Sequence, residues 1–163
     1  MRVVSNTSPV SNLAIIGKLD ILARQFGAIR IPRAVQAELE RLEHGVARSS
    51  IDQALAAGWL KVETVASIDL ARHLASFLDS GEAEAIALAS ESGSDLLIMD
   101  ESAGRAAARD LGLEMTGTLG VLLKEKRAGR IHSMEMEMDR LVGEAGFYLS
   151  EKVRRMFLDA AGE

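Results

Sequence analysis

Cysteine is absent from the 163 residues. Disulfides and thiolate metal sites are therefore excluded, and a reducing, cytoplasmic setting is expected. Aromatic residues make up only 4% of the chain, so platforms for stacking on flat ligands are few. No stretch reaches the ~18 consecutive apolar residues of a transmembrane helix. The opening MRVVSNTSPVSNLAIIG does not read as a signal peptide, because polar residues split its apolar run at the fifth position. Neither G-x-G-x-x-G nor a Walker P-loop follows a strand, and no G-x-S-x-G elbow occurs. The three histidines, His44, His73 and His132, lack ligand spacing and read as surface residues, which argues against zinc. Positive charge is also short: 19 Lys and Arg face 24 Asp and Glu, for a net charge of −5, the wrong sign for a general grip on nucleic acid.

What is present is the composition of one globular domain, 48% hydrophobic and 26% charged. Short β-branched or apolar runs predict strands at 2–5, 28–31, 59–64, 95–99 and 113–116. Helical periodicity predicts helices at 10–16, 18–26, 32–44, 46–57, 67–78, 82–92, 101–111, 118–128, 133–145 and 150–161. Ser8 and Pro9 are expected as cap and first residue of the first helix. The run after Asp95 is continuously apolar, the mark of a central parallel strand. Strands alternating with helices imply a three-layer α/β/α domain with a mostly parallel sheet, in which ligands gather at the carboxyl ends of strands.

Carboxylates occupy those places. Asp100 ends the buried strand and Glu101 follows it; helix capping is the ordinary alternative for Asp100. Glu38 lies at the edge of an apolar helix stripe beside Val35 and Leu42, with either Arg41 or a metal ion as its partner. Asp79-Ser80-Gly81-Glu82 has the spacing of a capping box. Glu82 also shares a face with Ile86 and Ala89, whereas Glu84 points roughly opposite, so Glu82 is favoured and Glu84 is held in reserve. Asn6 ends the first strand, and the hydroxyls of Thr7 and Ser8 can cap the helix, position a water or bind phosphate. Oxygen ligands gathered without His or Cys suit Mg²⁺ or Mn²⁺.

VVSNTSPVSNLAIIGKLDIL, IPRAVQAEL, SGEAEAIALA, DLLIMDES and TGTLGVLLKEKRAG resemble, in order, the blocks of a PIN domain over residues 1–131. The tail at 132–163, with GFYLS near its middle, is similar to that of a subgroup of bacterial PIN proteins akin to VapC toxins. It is expected as a helical extension packed on the same domain. The resemblance implies a metal-dependent ribonuclease fold using Mg²⁺ or Mn²⁺, an RNA substrate, a small antitoxin partner and a homodimer. By position it places the acidic sites on Asn6, Glu38, Glu82 and Asp100, with Glu101 beside the last and the hydroxyl two places after the first acid on Ser8. Asn6 departs from the family's Asp, which weakens metal binding and leaves two readings, a ribonuclease and a PIN-like module that binds RNA or a protein without turnover. A phosphoacceptor receiver domain would want acids after the first strand, and Asn6-Thr7-Ser8 supplies none. Arg105 and Arg109, together with Lys124, Lys126, Arg127 and Arg130, are expected either as solvated helix surface or as a phosphate rail. With so few aromatic residues, shape and backbone of a folded RNA are expected to be read rather than its bases. The stripe Val153, Met156, Phe157 and Ala160 is expected to pack on the chain's own core or on a second copy.

Overall fold

The computed structural model describes residues 1–163. Five strands, β1 (Val3–Ser5), β2 (Ile29–Pro32), β3 (Leu60–Glu63), β4 (Leu96–Ile98) and β5 (Met115–Thr116), form one sheet in the order β3-β2-β1-β4-β5. Every pairing is parallel. The helices are α1 (Thr7–Ile15), α2 (Asp20–Phe26), α3 (Arg33–Glu40), α4 (Gly45–Ala57), α5 (Ile68–Leu74), α6 (Ser80–Glu91), α7 (Ser102–Asp110), α8 (Thr118–Arg127), α9 (Met134–Ala145) and α10 (Glu151–Ala160).

Side chains alternate across a strand, and here both faces are apolar. Val3 and Ile98 enter one core with α1, α2, α4 and α8. Their neighbours Val4, Leu97 and Met99 enter a second with α5, α6 and α7. The sheet thus lies between two helix layers, as the alternation of strands and helices predicts. Met134, Met138 and Leu141 of α9 and Leu158 of α10 are buried in the first core. None of the helices is long and apolar enough to cross a membrane.

Some boundaries differ from expectation. The first helix starts at Thr7, with Asn6 in the capping position, rather than after Ser8. Pro9 sits in its first turn, where a missing N–H costs no helical hydrogen bond. The predicted helix 32–44 stops at Glu40, and the one over 67–78 ends at Leu74, after which the chain turns to reach Asp79.

Candidate functional site

The strand order reverses its direction of growth between β1 and β4, which opens a crevice at their carboxyl ends. Both strands deliver a polar residue there. The Asn6 amide donates to the Ile98 carbonyl at 3.0 Å, fixing the two strand ends side by side. Asn6 is 2% exposed. Its side chain does not cap α1. Instead Nδ2 donates to Glu101 Oε2 at 3.1 Å, and Oδ1 is buried without a partner. The expected capping role of Ser8 is also replaced: its hydroxyl donates to Glu101 Oε1. Thr7 donates to Glu38 Oε2. Glu101 and Glu38 are therefore held by consecutive hydroxyls at the start of one helix.

The N-terminus of α6 supplies the next part. Asp79 caps it by accepting from the Glu82 amide at 2.8 Å, as the capping-box spacing predicts. The Gly81 amide donates to Glu38 Oε1 at 3.2 Å. A Cβ on Gly81 would stand 2.5 Å from Glu38 Oε2, so glycine lets this carboxylate reach the helix end. Glu82 is 7% exposed. Burial, then the negative charges of Asp79 and Glu101, push its carboxyl up from 4.5 to about 7. Glu84 faces α5 and the start of α3, with Glu38 the one site acid that acts on it. Burial raises its pKa, the Ala34 backbone opposes the rise with a hydrogen bond, and nearby Glu38 adds to it.

Asp100 accepts from the Thr118 amide at 2.8 Å through Oδ1 and from the Thr118 hydroxyl at 2.6 Å through Oδ2. Burial raises its pKa and these two bonds oppose the rise; Glu101 adds to it and Arg105 opposes it. Thr118, fully buried at the start of α8, is a site residue the sequence reading missed. Gly117 before it was the available signal, since a Cβ there would lie 2.8 Å from Asp100 Oδ1. Arg105 Nη1 donates to the Met99 carbonyl at 2.8 Å, which tethers the guanidinium beside Asp100.

Asn6, Thr7, Ser8, Glu38, Glu82, Asp100, Glu101 and Arg105 are thus brought together, with Glu84 at the Glu38 side. Arg109 is exposed near the far end of α7. Lys124, Lys126 and Arg127 are not brought to the site. The helix α8 begins at Thr118, beside Asp100, and carries them away at ~1.5 Å per residue. Lys124 lies over the Phe26 ring, Lys126 donates to the His132 carbonyl and Arg127 to the Ala160 carbonyl. Arg130 pairs with the fully buried Glu125, as does Arg24.

Oxygen-only donors, an orphaned buried Asn6 Oδ1 and mutually repelling carboxylates fit a hard divalent cation in their chemistry. They do not form a ready-made cage, because no three Asp, Glu or His groups stand close enough to share an ion. Glu38, Glu101 and Asp100 are held instead by Thr7, Ser8 and Thr118.

A five-stranded parallel α/β sandwich with acids at its central strand ends defines the class: a nuclease-like fold. The description "PIN domain" matches residues 2–163, and the chain belongs to the PIN-domain family. Members of this family generally use divalent metals. No curated protein and no solved structure matches the chain.

Proposed function

We propose that the protein is a metal-dependent endoribonuclease of the kind that serves as the toxin of a toxin-antitoxin pair. The observation that carries this reading is the meeting of Asn6, Glu38, Glu82, Asp100 and Glu101, from four separate parts of the chain, at the carboxyl ends of β1 and β4. Drawn closer than they stand, Asn6, Glu38, Glu82, Asp100 and Glu101 would hold Mg²⁺ or Mn²⁺. Bound there, the ion supplies a lowered water pKa and stabilises charge that builds on phosphate oxygens. Thr118 keeps both Asp100 oxygens in one orientation. Ser8 and Asn6 do the same for Glu101. Arg105, tethered to Met99, binds a phosphate of the RNA.

One observation favours a second reading. Asn6 brings no charge and spends its amide on Glu101, which suits a PIN-like module that binds RNA or a protein partner without turnover. A labelled RNA pool with Mn²⁺ separates the two. The nuclease reading expects cleavage by the wild type, loss of at least tenfold in Asp100→Asn and a gain in Asn6→Asp. Background activity in both wild type and Asp100→Asn rules it out. As a cytoplasmic toxin the protein would have a small antitoxin and a second copy of itself as partners; light scattering with and without the antitoxin reads both.

A further inference from the structure

Two consecutive acids follow β4, and their side chains part. Asp100 accepts from the Thr118 amide and hydroxyl at the start of α8, on the β5 side. Glu101 accepts from Asn6 Nδ2 at 3.1 Å and from the Ser8 hydroxyl at the start of α1, on the β1 side. One dipeptide thus places a carboxylate on each side of β4. The β1 end itself offers Asn6, Thr7 and Ser8, which bring amide and hydroxyl groups to the crevice but no charge.

Two uses closer at hand are open to Glu101, and it takes neither. It holds the capping position of α7, yet its side chain does not cap that helix. Arg105 stands at the i,i+4 spacing of a helical ion pair, yet donates to the Met99 carbonyl. The two donors that hold Glu101 are both neutral. Its charge is left facing other acids and pushes the carboxyls of Glu82 and Asp100 up. Asn6 Oδ1, on the same amide that holds Glu101, is buried without a partner. A carboxylate with neutral partners only, set against two further acids and beside an unpartnered oxygen, is completed by a hard cation.

We propose that Glu101 is the carboxylate ligand of the β1 side, and that Asn6 and Ser8 are the residues that position it. The inference rests on the metal-dependent reading above and assigns, within it, the charge that Asn6 lacks. Asn6 then has two tasks: Nδ2 holds Glu101, and Oδ1 offers a neutral oxygen. The charge is also portable. A carboxylate at position 6 facing an amide at position 101 keeps the same hydrogen bond with donor and acceptor exchanged.

The test titrates Mn²⁺ alone into the metal-free full chain by calorimetry, with melting temperatures taken in EDTA. Glu101→Gln is expected to weaken Mn²⁺ binding by about tenfold or more. Its melting temperature in EDTA should stay within about 2 °C of wild type or rise, because repulsion of Glu82 and Asp100 is relieved. Asn6→Asp added to Glu101→Gln is expected to return the affinity to within about threefold of wild type. Ser102→Asp added instead supplies the same charge at the next, exposed position and should leave binding weak. Ser8→Ala is expected to lose about tenfold and Ser8→Thr to keep the wild-type affinity. Wild-type affinity in Glu101→Gln or in Ser8→Ala overturns the proposal. A Glu101→Gln variant that melts more than about 5 °C lower in EDTA shows a structural tie and overturns it too. So does rescue by Ser102→Asp as well as by Asn6→Asp, or rescue by neither. Asp100→Asn separates the two levels of failure. Binding that Asp100→Asn abolishes and Glu101→Gln leaves intact sinks this assignment and leaves the metal-dependent reading standing. A wild type that binds no Mn²⁺ at millimolar concentration sinks both.

Discussion

Asn6 belongs to the residue types best suited to cap a helix, occupies the capping position of α1, and uses its side chain for something else. Its amide goes to Glu101 and its oxygen is left buried and alone, at a cost of about 1–3 kcal/mol. Asn6→Asp removes the donor and sets a second charge against Glu101. The metal-free variant is therefore expected to melt several degrees below wild type, for a loss on the order of 2–4 kcal/mol. Saturating Mn²⁺ should raise its melting temperature by more than it raises that of wild type, because binding to the folded state stabilises it. Equal shifts in thermal scans would place the metal elsewhere.

Two buried carboxyls give the metal-free protein a stability maximum in mildly acid solution. Glu82 is raised from 4.5 to about 7, so the folded state holds its proton more tightly than the unfolded state does. Its stabilising effect is present below about 4.5 and disappears as pH rises towards 7. Glu125 is opposite in sign. Hydrogen bonds from Arg130, then Gln25 and Arg24, overcome its burial and lower it to about 2. Its contribution is complete above 4.5 and is lost as pH falls towards 2. Melting curves in EDTA should therefore peak between these limbs. Glu82→Gln should flatten the neutral limb and Glu125→Gln the acid one. A wild-type melting temperature that climbs steadily from pH 5 to pH 8 would contradict the Glu82 assignment.

At the level of elements, the site depends on three helix N-termini, those of α1, α6 and α8. Gly81→Ala tests the second. Alanine is a better helix former than glycine, and the clash is with the movable end of Glu38, so stability should change by less than about 1 kcal/mol. Glu38 must shift, and Mn²⁺-dependent cleavage is expected to fall about 10- to 100-fold. Unchanged cleavage would remove Glu38 from the reacting set. The α6 terminus was legible in sequence because a capping box is local: Asp79 and Glu82 are three residues apart. The α1 terminus was not. Ser8-Pro9 has the local signature of a cap, but the acceptors that win the Thr7 and Ser8 hydroxyls, Glu38 and Glu101, lie 31 and 93 residues away. For the same reason the partners of the basic cluster were not legible. Lys126 and Arg127 serve chain segments from the tail, which no window along α8 contains. Asp100 was readable because the apolar run before it can only be a strand buried on both faces.

Across the whole molecule, the tail is part of the first core rather than an appendage. Met138 is fully buried with Leu13, Leu22 and Leu122 in the same cluster. Met138→Ala should destabilise the entire protein by about 2–4 kcal/mol, in one urea transition that moves the tail and the sheet together. Two separate transitions would show α9 and α10 to unfold on their own. The net charge of −5 also reads differently at this scale. Part of the excess is gathered in one crevice, while Glu125 is buried and neutralised by two arginines, so the total says little about which ligands the surface admits.

The position of β1 in the sheet has a consequence for synthesis. It stands between β2 and β4, and Asn6 meets Glu101 across 95 residues of chain. A growing polypeptide can pair β1 with β2 early, but it has no acid cluster until the last of that span has left the ribosome. At ~5–20 residues per second this delay is on the order of ten seconds. An incomplete chain, whether paused or cut short before Asp100, carries Asn6, Glu38 and Glu82 as ordinary polar residues. Any activity the crevice has toward nucleic acid is therefore withheld from the protein's own translation until the sheet can close.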